Sequence, residues 1–285
     1  RQMLRDHLEH EADITIAVMP CSAEEIAAFG AVRVDQRGRI VEFREKPKTA
    51  DARAGMEVSP ALLEEKGVRA DQPYLASMGV SIFRRQALID SLASDDVDFG
   101  GDIIPAQVVR RHVQAHFFKG YWRDIGTIGA FFEAHMDLVK EEPQFTFHDR
   151  AWPIYTRPRY LPGAMLHRCR FDHALLSDGS TVEDSEIENA IVGLRGSVRK
   201  SKVHHALIMG IDSHYPAPEP GEPEPGIGEG CEISNAIIDK NARIGRDVRI
   251  CNQAGVDEAD GVGWAIRDGI VVVAKNAVGP DGTVI

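Results

Sequence analysis

Short apolar runs alternate with longer segments of helical character along the first half of the chain. The run from Ile14 to Met19 is typical of a buried strand, and Leu75 to Phe83 predicts another. The segments expected to be helical are 85–92, 103–112 and 127–140. This alternation predicts an α/β fold over a first domain, residues 1–142.

Two local signals refine this first half. Ser22 and Glu25 have the spacing of a capping box, and Gly30 stands where a helix would release the chain, so a short helix is expected over 23–29. Asp35-Gln36-Arg37-Gly38 separates two short apolar runs and predicts a hairpin.

A different period begins after a proline-rich stretch. Residues 143–165 contain four prolines and no clear period, which describes an extended connector. Beyond it, aliphatic residues recur every five or six positions in two series, the first being Leu176, Val182, Ile187, Val192, Val198, Val203 and Ile208, and the second Ile227, Ile233, Ile238, Ile244 and Ile250. This period predicts a parallel β-helix of hexapeptide coils over 166–285, because each flat face of a coil needs one inward aliphatic residue. The insert 212–226 has five prolines and four acidic residues, and it predicts an exposed loop.

The composition restricts the partners. The 285 residues are 43% hydrophobic, enough for a large core, and their formal net charge of -11 disfavours a nucleic acid or an anionic membrane surface as a partner. No apolar run approaches the ~20 residues that span a bilayer. The four cysteines lack the spacing of a metal site or a disulfide framework. We therefore expect a cytoplasmic protein that acts on small molecules.

Three motifs place chemically useful side chains at or near element ends. Glu45 and Lys46 close a predicted strand; a lysine there suits a phosphate monoester and a glutamate suits sugar hydroxyls, although a solvated strand end is the simpler explanation of this motif alone. Asp124 stands at a turn before a helix, where it is either an N-terminal cap or a Mg²⁺ ligand. Ser77 and Gly79 lie in a strand, where close approach of a ligand and plain packing are both open.

Taken together, these strings resemble the ADP-glucose pyrophosphorylase family. EFREKP, YLASMGVSIF, DFGGDIIP and YWRDIGT occur in the family's order and spacing, and DRAWPIYTRPRYLP, IIDKNARIG and DGIVVVAKNAVGPDGTVI continue the likeness. The last string is more similar to the cyanobacterial and plant branch than to the enteric one. The resemblance implies part of a Rossmann-like, GT-A-like nucleotidyltransferase domain followed by a left-handed parallel β-helix, in a homotetramer. It also implies that ATP and glucose 1-phosphate are converted to ADP-glucose and pyrophosphate, for glycogen or starch synthesis.

The resemblance also assigns site residues. Lys46 resembles the lysine that holds the phosphate of glucose 1-phosphate. Glu45 and Ser77 match positions that contact the glucose ring, and Gly30 matches a backbone contact. Asp124 matches a carboxylate that helps to hold catalytic Mg²⁺.

Three cations match contacts of an allosteric site. Lys240 and Lys275 resemble lysines that bind anionic glycolytic effectors such as 3-phosphoglycerate, and Arg159 resembles a third contact to such anions. Solvated charges on the solenoid are the alternative explanation.

The sequence departs from the family in one respect. It contains no glycine-rich G-G-G-x-G-T-R-L loop for the nucleotide and no partner aspartate for the metal. The chain opens on RQMLRDHLEHE, with Leu4 and Leu8 at helical spacing, so we expect it to start partway through a domain. We expect the chain to be inactive alone and active when an N-terminal half is restored.

Three other functions remain open from the sequence. The first is a nucleotidyltransferase for another nucleotide and sugar phosphate. The second is a hexapeptide-repeat acyltransferase, for which His204 and His205 are the adjacent catalytic candidates. The third is a non-catalytic regulatory subunit, against which the presence of Lys46 and Asp124 argues.

Overall fold

The computed structural model describes residues 1–215 and 217–285. By its internal contacts the chain divides into two units, 1–120 and 121–285, and each has its own buried core. The domain boundary at 142 stays a prediction.

A five-stranded sheet forms the centre of the first unit. Its strands are β1 (Ile14–Cys21), β2 (Gly30–Val34), β3 (Ile40–Glu45), β4 (Tyr74–Phe83) and β5 (Val113–Phe117). Their spatial order is β3-β2-β4-β1-β5, and β1 is parallel to β5 and antiparallel to β4. Nearly every residue of β1 is buried, as expected of an apolar strand in the interior of a sheet that is covered on both faces.

Five α-helices accompany this sheet. They are α1 (Gln2–Glu9), α2 (Ala50–Arg53), α3 (Pro60–Lys66), α4 (Arg85–Ser91) and α5 (Ile104–Arg110), and a π-helical turn, Phe99–Ile103, leads into α5. Local signals explain the bounds of α3: the hydroxyl of Ser59 accepts a backbone N–H of its first turn, and Gly67 ends it with a φ of +68°.

A bulge interrupts the pairing of β4 with β1. Ile16 pairs with Ser81 and Val18 pairs with Ser77, so three residues of β4 lie opposite one residue of β1. The middle one, Gly79, has a φ of +72°, a conformation that glycine adopts most readily. The bulge therefore changes the backbone direction just beyond Ser77.

The predicted elements of the first half are confirmed with small changes. The strands β1 to β4 and the helices α4 and α5 lie where the pattern places them, and Ser22 and Glu25 exchange the two hydrogen bonds of a capping box, at 2.8 and 3.2 Å. The helix expected over 23–29 is a single 3-10 turn, Glu25–Ala28, because Phe29 is already extended where the chain enters β2. The sequence pattern did not reveal α2, α3 or β5.

Parallel strands stacked in coils form most of the second unit. The strands are β6 (Met165–His167), β7 (Arg170–Leu176), β8 (Thr181–Glu183), β9 (Glu186–Val192), β10 (Ser197–Arg199), β11 (Lys202–Ile208), β12 (Gly226–Ile227), β13 (Glu232–Ile238), β14 (Arg243–Ile244), β15 (Arg249–Ile250), β16 (Ala259–Gly261), β17 (Trp264–Arg267), β18 (Ile270–Val273) and β19 (Val278–Gly279). One sheet has the order β19-β14-β12-β10-β8-β6, and another has the order β16-β17-β18-β13-β11-β9-β7. The two ends of the coils thus lie at β6 and β7 and at β16 and β19.

Inward aliphatic side chains explain the period of this solenoid. Ile187, Val203 and Ile233 occupy the same register position in three adjacent strands, and all three are buried. The other predicted inward positions from Val182 to Ile250 are also buried, and Leu176 packs against them. Burial of one aliphatic side chain contributes about 1.5–3 kcal/mol, so the stack accounts for much of the stability of the coils. The predicted parallel β-helix is confirmed.

Residues in a left-handed backbone conformation mark one corner of the coils. His173, Asn189, His205 and Asn235 occur in four successive strands of one sheet, each with a φ of 46–47°. Asparagine and histidine adopt this conformation more readily than other residues that have a side chain. Asparagine and histidine thus provide the left-handed backbone conformation at this corner, where glycine is absent from these four positions.

Helix α6 (Ile128–Met136) packs on the solenoid. Phe132 and Met136 form a buried cluster with Leu207, Ile237 and Ile270, and a 3-10 turn extends the helix to Val139. The helix predicted over 127–140 therefore exists. By its contacts it belongs to the second unit.

The two proline-rich segments contain neither helix nor strand where they are described, namely at 140–164 and, within the insert, at 212–215 and 217–225. Pro216 of the insert lies outside the described residues. Within the described part of the chain, no helix is both long and apolar enough to cross a membrane.

Candidate functional site

Glu45, Gly30 and Ser77 form one row across three adjacent strands. Gly30 pairs with Glu45 between β2 and β3. Ala31 pairs with Ala76 between β2 and β4, which brings Ser77 to the position opposite Gly30. Residues opposite one another in a sheet point to the same face. The three predicted sugar contacts are therefore neighbours, although they are far apart in sequence.

Lys46 follows this row at the end of β3. Its φ of +43° is rare for a residue with a side chain, and its N–H donates to the carbonyl of Phe29 at 3.0 Å, so the chain turns out of the sheet here. Its ammonium lies 3.7 Å from Oε1 of Glu45, and its side chain is 59% exposed. An exposed ammonium beside a single carboxylate remains accessible to a phosphate.

Gly30 occupies a place with no room for a side chain. A Cβ at this position would lie 2.3 Å from Cζ of Phe43 and 3.1 Å from Oε2 of Glu45. The ring of Phe43 therefore covers the glycine, and the carboxylate of Glu45 stands beside that ring.

The turn before α5 also approaches Glu45, and the sequence had assigned no role to it. A Cβ on Gly100 would lie 2.7 Å from Oε2 of Glu45, so the backbone of this turn comes very close to the carboxylate. Asp98 fixes the turn by accepting the N–H of Gly101 at 2.6 Å. The adjacent glycines of DFGGD are the sequence signal for this contact, because glycine allows close approach of the backbone.

The other charges on β3 are paired with each other or with a residue of β2. Glu42 bonds to Arg33 at 2.8 Å and to Arg44 at 2.5 Å. The hydrogen bond from Arg33, with a further one from Arg44, holds the pKa of Glu42 below its usual value. Arg44 also donates to the carbonyls of Ala52 and Ala54, both at 2.9 Å, and so ties α2 to the strand. Lys46, with a side chain 59% exposed, is thus the most accessible of these charges at the end of β3.

Asp124 lies in the turn before α6, in the second unit. Its side chain is exposed, and Oδ2 accepts the N–H of Gly126 at 3.3 Å. The first turn of α6 is capped instead by Thr127 and Asp268, which accept backbone N–H groups of that turn at 3.1 and 3.0 Å. Other residues therefore cap α6, which argues against Asp124 as the N-terminal cap of this helix.

A divalent cation fits Asp124 as part of a site. Mg²⁺ usually binds one or two protein carboxylates and completes its octahedron with water and phosphate oxygens. Across residues 1–215 and 217–285, no group of three or more His, Cys, Asp or Glu side chains is arranged to hold a metal ion. The residues described thus fit an ion shared with substrate phosphates and do not form a protein cage.

Lys240 and Lys275 converge on one carboxylate. Their ammonium groups lie 3.3 Å from Oδ1 and 2.8 Å from Oδ2 of Asp212, respectively. The structure therefore brings two of the three predicted effector cations together. Arg159 donates to the carbonyl of Arg157 at 3.1 Å, and no contact among the described residues joins it to the lysines.

The two lysines strongly perturb the carboxyl group between them. The hydrogen bond from Lys275 is the main cause that lowers the pKa of Asp212 to about 2; burial opposes it, and the hydrogen bonds from Lys240 and Asn241 add to it. The same carboxylate raises the pKa of Lys275. Asp212 is therefore charged at every physiological pH.

His205 has a packing role on the solenoid. Its ring contacts Phe132 of α6 edge-on, with ring centroids 4.9 Å apart, and burial lowers its pKa, followed by the effect of His204. Nε2 of His204 lies 4.0 Å from Oε1 of Glu188. Of the two histidines that an acyltransferase would use, one is thus occupied in holding α6.

Two family models match the chain. The model described as nucleotidyl transferase matches residues 1–141, and the model described as the GLGC left-handed parallel beta-helix domain matches residues 159–284. A curated relative from Zea mays, glucose-1-phosphate adenylyltransferase large subunit 1, chloroplastic/amyloplastic, is 39% identical over 297 residues, which cover 100% of this chain and 57% of the relative. The chain thus spans little more than half the length of this relative. The matches support the predicted nucleotidyltransferase fold and the left-handed solenoid.

Proposed function

The chain belongs to the ADP-glucose pyrophosphorylase family, and from that membership we propose that it provides the sugar phosphate site of a glucose-1-phosphate adenylyltransferase. The reaction converts ATP and glucose 1-phosphate to ADP-glucose and pyrophosphate, for glycogen or starch synthesis. The row of Glu45, Gly30 and Ser77, followed by Lys46, is the observation that carries this proposal. It offers a cation for the phosphate beside hydrogen-bonding groups for the sugar.

Lys46 and the three residues of the row have distinct roles in this proposal. The ammonium of Lys46 binds the phosphate, and an exposed ion pair such as the one with Glu45 contributes little free energy, so phosphate replaces the carboxylate at small cost. Glu45 then accepts hydrogen bonds from the glucose hydroxyls. The hydroxyl of Ser77 can both donate and accept, and Gly30 contributes a backbone contact.

Asp124 provides a carboxylate ligand to Mg²⁺ in this proposal. Its exposure, and the capping of α6 by other residues, leave the carboxylate available for that role. The ion, when bound, offsets the charge of the phosphates of ATP as the sugar phosphate attacks.

Lys240 and Lys275 form an allosteric site for anionic glycolytic effectors such as 3-phosphoglycerate. Their convergence on one carboxylate supports the assignment, because two ammonium groups that reach one anion can reach another of similar size. We assign Arg159 to the same effectors on the family resemblance alone.

A homotetramer in the cytoplasm completes the proposal. The first coil of the solenoid ends in the unpaired edges of β6 and β7, and Met165, Leu166 and Leu175 are 44–55% exposed there, which suits a subunit contact. The four cysteines lie within the described residues and are all free, as is usual in a reducing compartment.

Titration calorimetry of the chain with a panel of ligands tests this function. Glucose 1-phosphate is expected to bind at least about tenfold more tightly than galactose 1-phosphate, because a site that hydrogen-bonds each hydroxyl discriminates against an epimer. Equal affinity for both sugars would favour another sugar-phosphate nucleotidyltransferase. Binding of acetyl-CoA that His204→Ala removes would favour an acyltransferase, and failure to bind any sugar phosphate would favour a regulatory subunit.

A further inference from the structure

Asp212 lies between Lys240 and Lys275, at the point where the acidic insert leaves the solenoid. We propose that Asp212 is an internal counter-ion of the effector site, and that a phosphate-bearing effector binds by replacing the Asp212 carboxylate between the two lysines. This inference rests on the proposed effector role of the lysines. It makes Asp212 the residue that sets the affinity of the site for anions.

The two lysines are held in place by the coils. They belong to turns of adjacent coils: the N–H of Asn276 donates to the carbonyl of Lys240 at 3.0 Å, and the amide of Asn241 donates to the side-chain oxygen of Asn276 at 3.0 Å. Asn241 is only 3% exposed. The two bonds join the turns that contain the lysines, and Asp212 is a partner in neither of them.

Apart from the lysines, Asn241 ties Asp212 to the coils. Its N–H donates to Oδ1 of Asn241 at 2.8 Å, and its Oδ2 accepts a longer bond of 3.3 Å from the same amide. It precedes a segment with neither helix nor strand at 213–215 and 217–225. Loop backbone moves at lower cost than backbone in a stacked coil, so the aspartate is the member of the cluster that can withdraw.

The charges favour exchange of the carboxylate for a phosphate. The side chains of Lys240, Lys275 and Asp212 are 43%, 50% and 30% exposed, so an anion can reach them from solvent. Asp239 is also near, and its carboxylate accepts the N–H of Lys240 at 2.6 Å. A phosphate monoester carries roughly two negative charges and three acceptor oxygens, and it therefore neutralises both lysines where one carboxylate does not.

Titration calorimetry of the full chain with inorganic phosphate tests the proposal. Asp212→Asn is expected to lower the dissociation constant of phosphate by roughly three- to tenfold. The substitution removes the ion pairs of Asp212 with Lys240 and Lys275, which compete with phosphate for the two lysines. Asp172→Asn is the matched control: it removes the same charge from an exposed aspartate of β7 that pairs with His173. The control should leave the constant unchanged.

The lysine variants separate this proposal from the function on which it rests. If Lys240→Ala and Lys275→Ala leave phosphate binding unchanged, the effector site itself is wrong. If they weaken binding but Asp212→Asn does not tighten it, the lysines bind the anion and the internal counter-ion is wrong. An equal gain from Asp172→Asn would also overturn the proposal, because the effect would then come from net charge.

A measurement on the unaltered chain keeps the proposal testable if Asp212→Asn fails to fold. Saturating phosphate should speed hydrogen exchange of the Asp212 amide, since the bond from this amide to Asn241 is lost when the aspartate withdraws. Slower or unchanged exchange at Asp212 would contradict the replacement.

Discussion

Gly30 lies directly opposite Glu45 in the ladder between β2 and β3, and the ring of Phe43 fills the space that a side chain at position 30 would take. The position of the Glu45 carboxylate thus depends on a glycine in the neighbouring strand. Gly30, which is assigned a backbone contact with the sugar, therefore also determines how Phe43 packs beside Glu45.

Gly30→Ala is expected to lower the free energy of unfolding by roughly 1–3 kcal/mol, because the new methyl group overlaps the buried ring of Phe43. Urea denaturation followed by circular dichroism measures the change. Gly163→Ala is the control, since a Cβ there meets nothing within 4 Å, and it should stay within about 0.5 kcal/mol of the unaltered chain. Equal stability of both variants would show that Phe43 moves aside without cost.

The period of the solenoid could be predicted from the sequence because one structural rule repeats in every coil. From Val182 to Ile250, each predicted inward aliphatic residue is buried. The three antiparallel strands β16 to β18 were not predicted, because they interrupt the coils and their pairing depends on residues such as Trp264 and Val273 meeting across strands.

The candidate site was only partly visible in the sequence. Glu45 and Lys46 are adjacent in the chain, so their proximity needs no fold. The approach of Gly100 to Glu45, and the meeting of Asp212 with Lys275, are long-range contacts that no local pattern encodes. The roles of Lys46, Asp124 and Arg159 themselves remain predictions.

Asp268→Ala is expected to loosen the start of α6 by about 1 kcal/mol, because the carboxylate accepts the N–H of Gly129 in the first turn of this helix. Hydrogen exchange at Gly129 reports the loss locally, and urea denaturation reports it globally. Asp268→Asn retains an acceptor oxygen and tolerates the φ of +54° at this position, so it should be close to neutral. If the alanine variant protects Gly129 as well as the asparagine variant does, the bond does not stabilise α6.

The stabilising effect of Asp212 should depend on pH only in the acid range. Its pKa is lowered from 3.8 to about 2 in the folded chain, so its contribution is complete above pH 3.8 and is lost as the pH falls through about 2. The difference in free energy of unfolding between the unaltered chain and Asp212→Asn should be constant from pH 7 to 5 and shrink below pH 4. A difference that changes between pH 7 and 5 would mean that another group titrates in this cluster.

The buried thiols should resist alkylation. Burial, and then the nearby Glu25, raise the pKa of Cys21 to about 12, and burial also raises the pKa of Cys231. Iodoacetamide at pH 8 should modify Cys169 and Cys251 at least about tenfold faster, because the thiolate is the reactive form. Peptide mass spectrometry gives the rates, and all four should react in urea. Rapid modification of Cys21 in the folded chain would contradict its burial.

Binding of glucose 1-phosphate to the Lys46→Ala variant tests the proposed function most directly, with Lys48→Ala as control because Lys48 is an exposed lysine of the same segment. Loss of the ammonium that holds the phosphate should weaken binding at least about tenfold by titration calorimetry, whereas Lys48→Ala should bind as the unaltered chain does. Equal affinity of the two variants would contradict the sugar phosphate site at the end of β3.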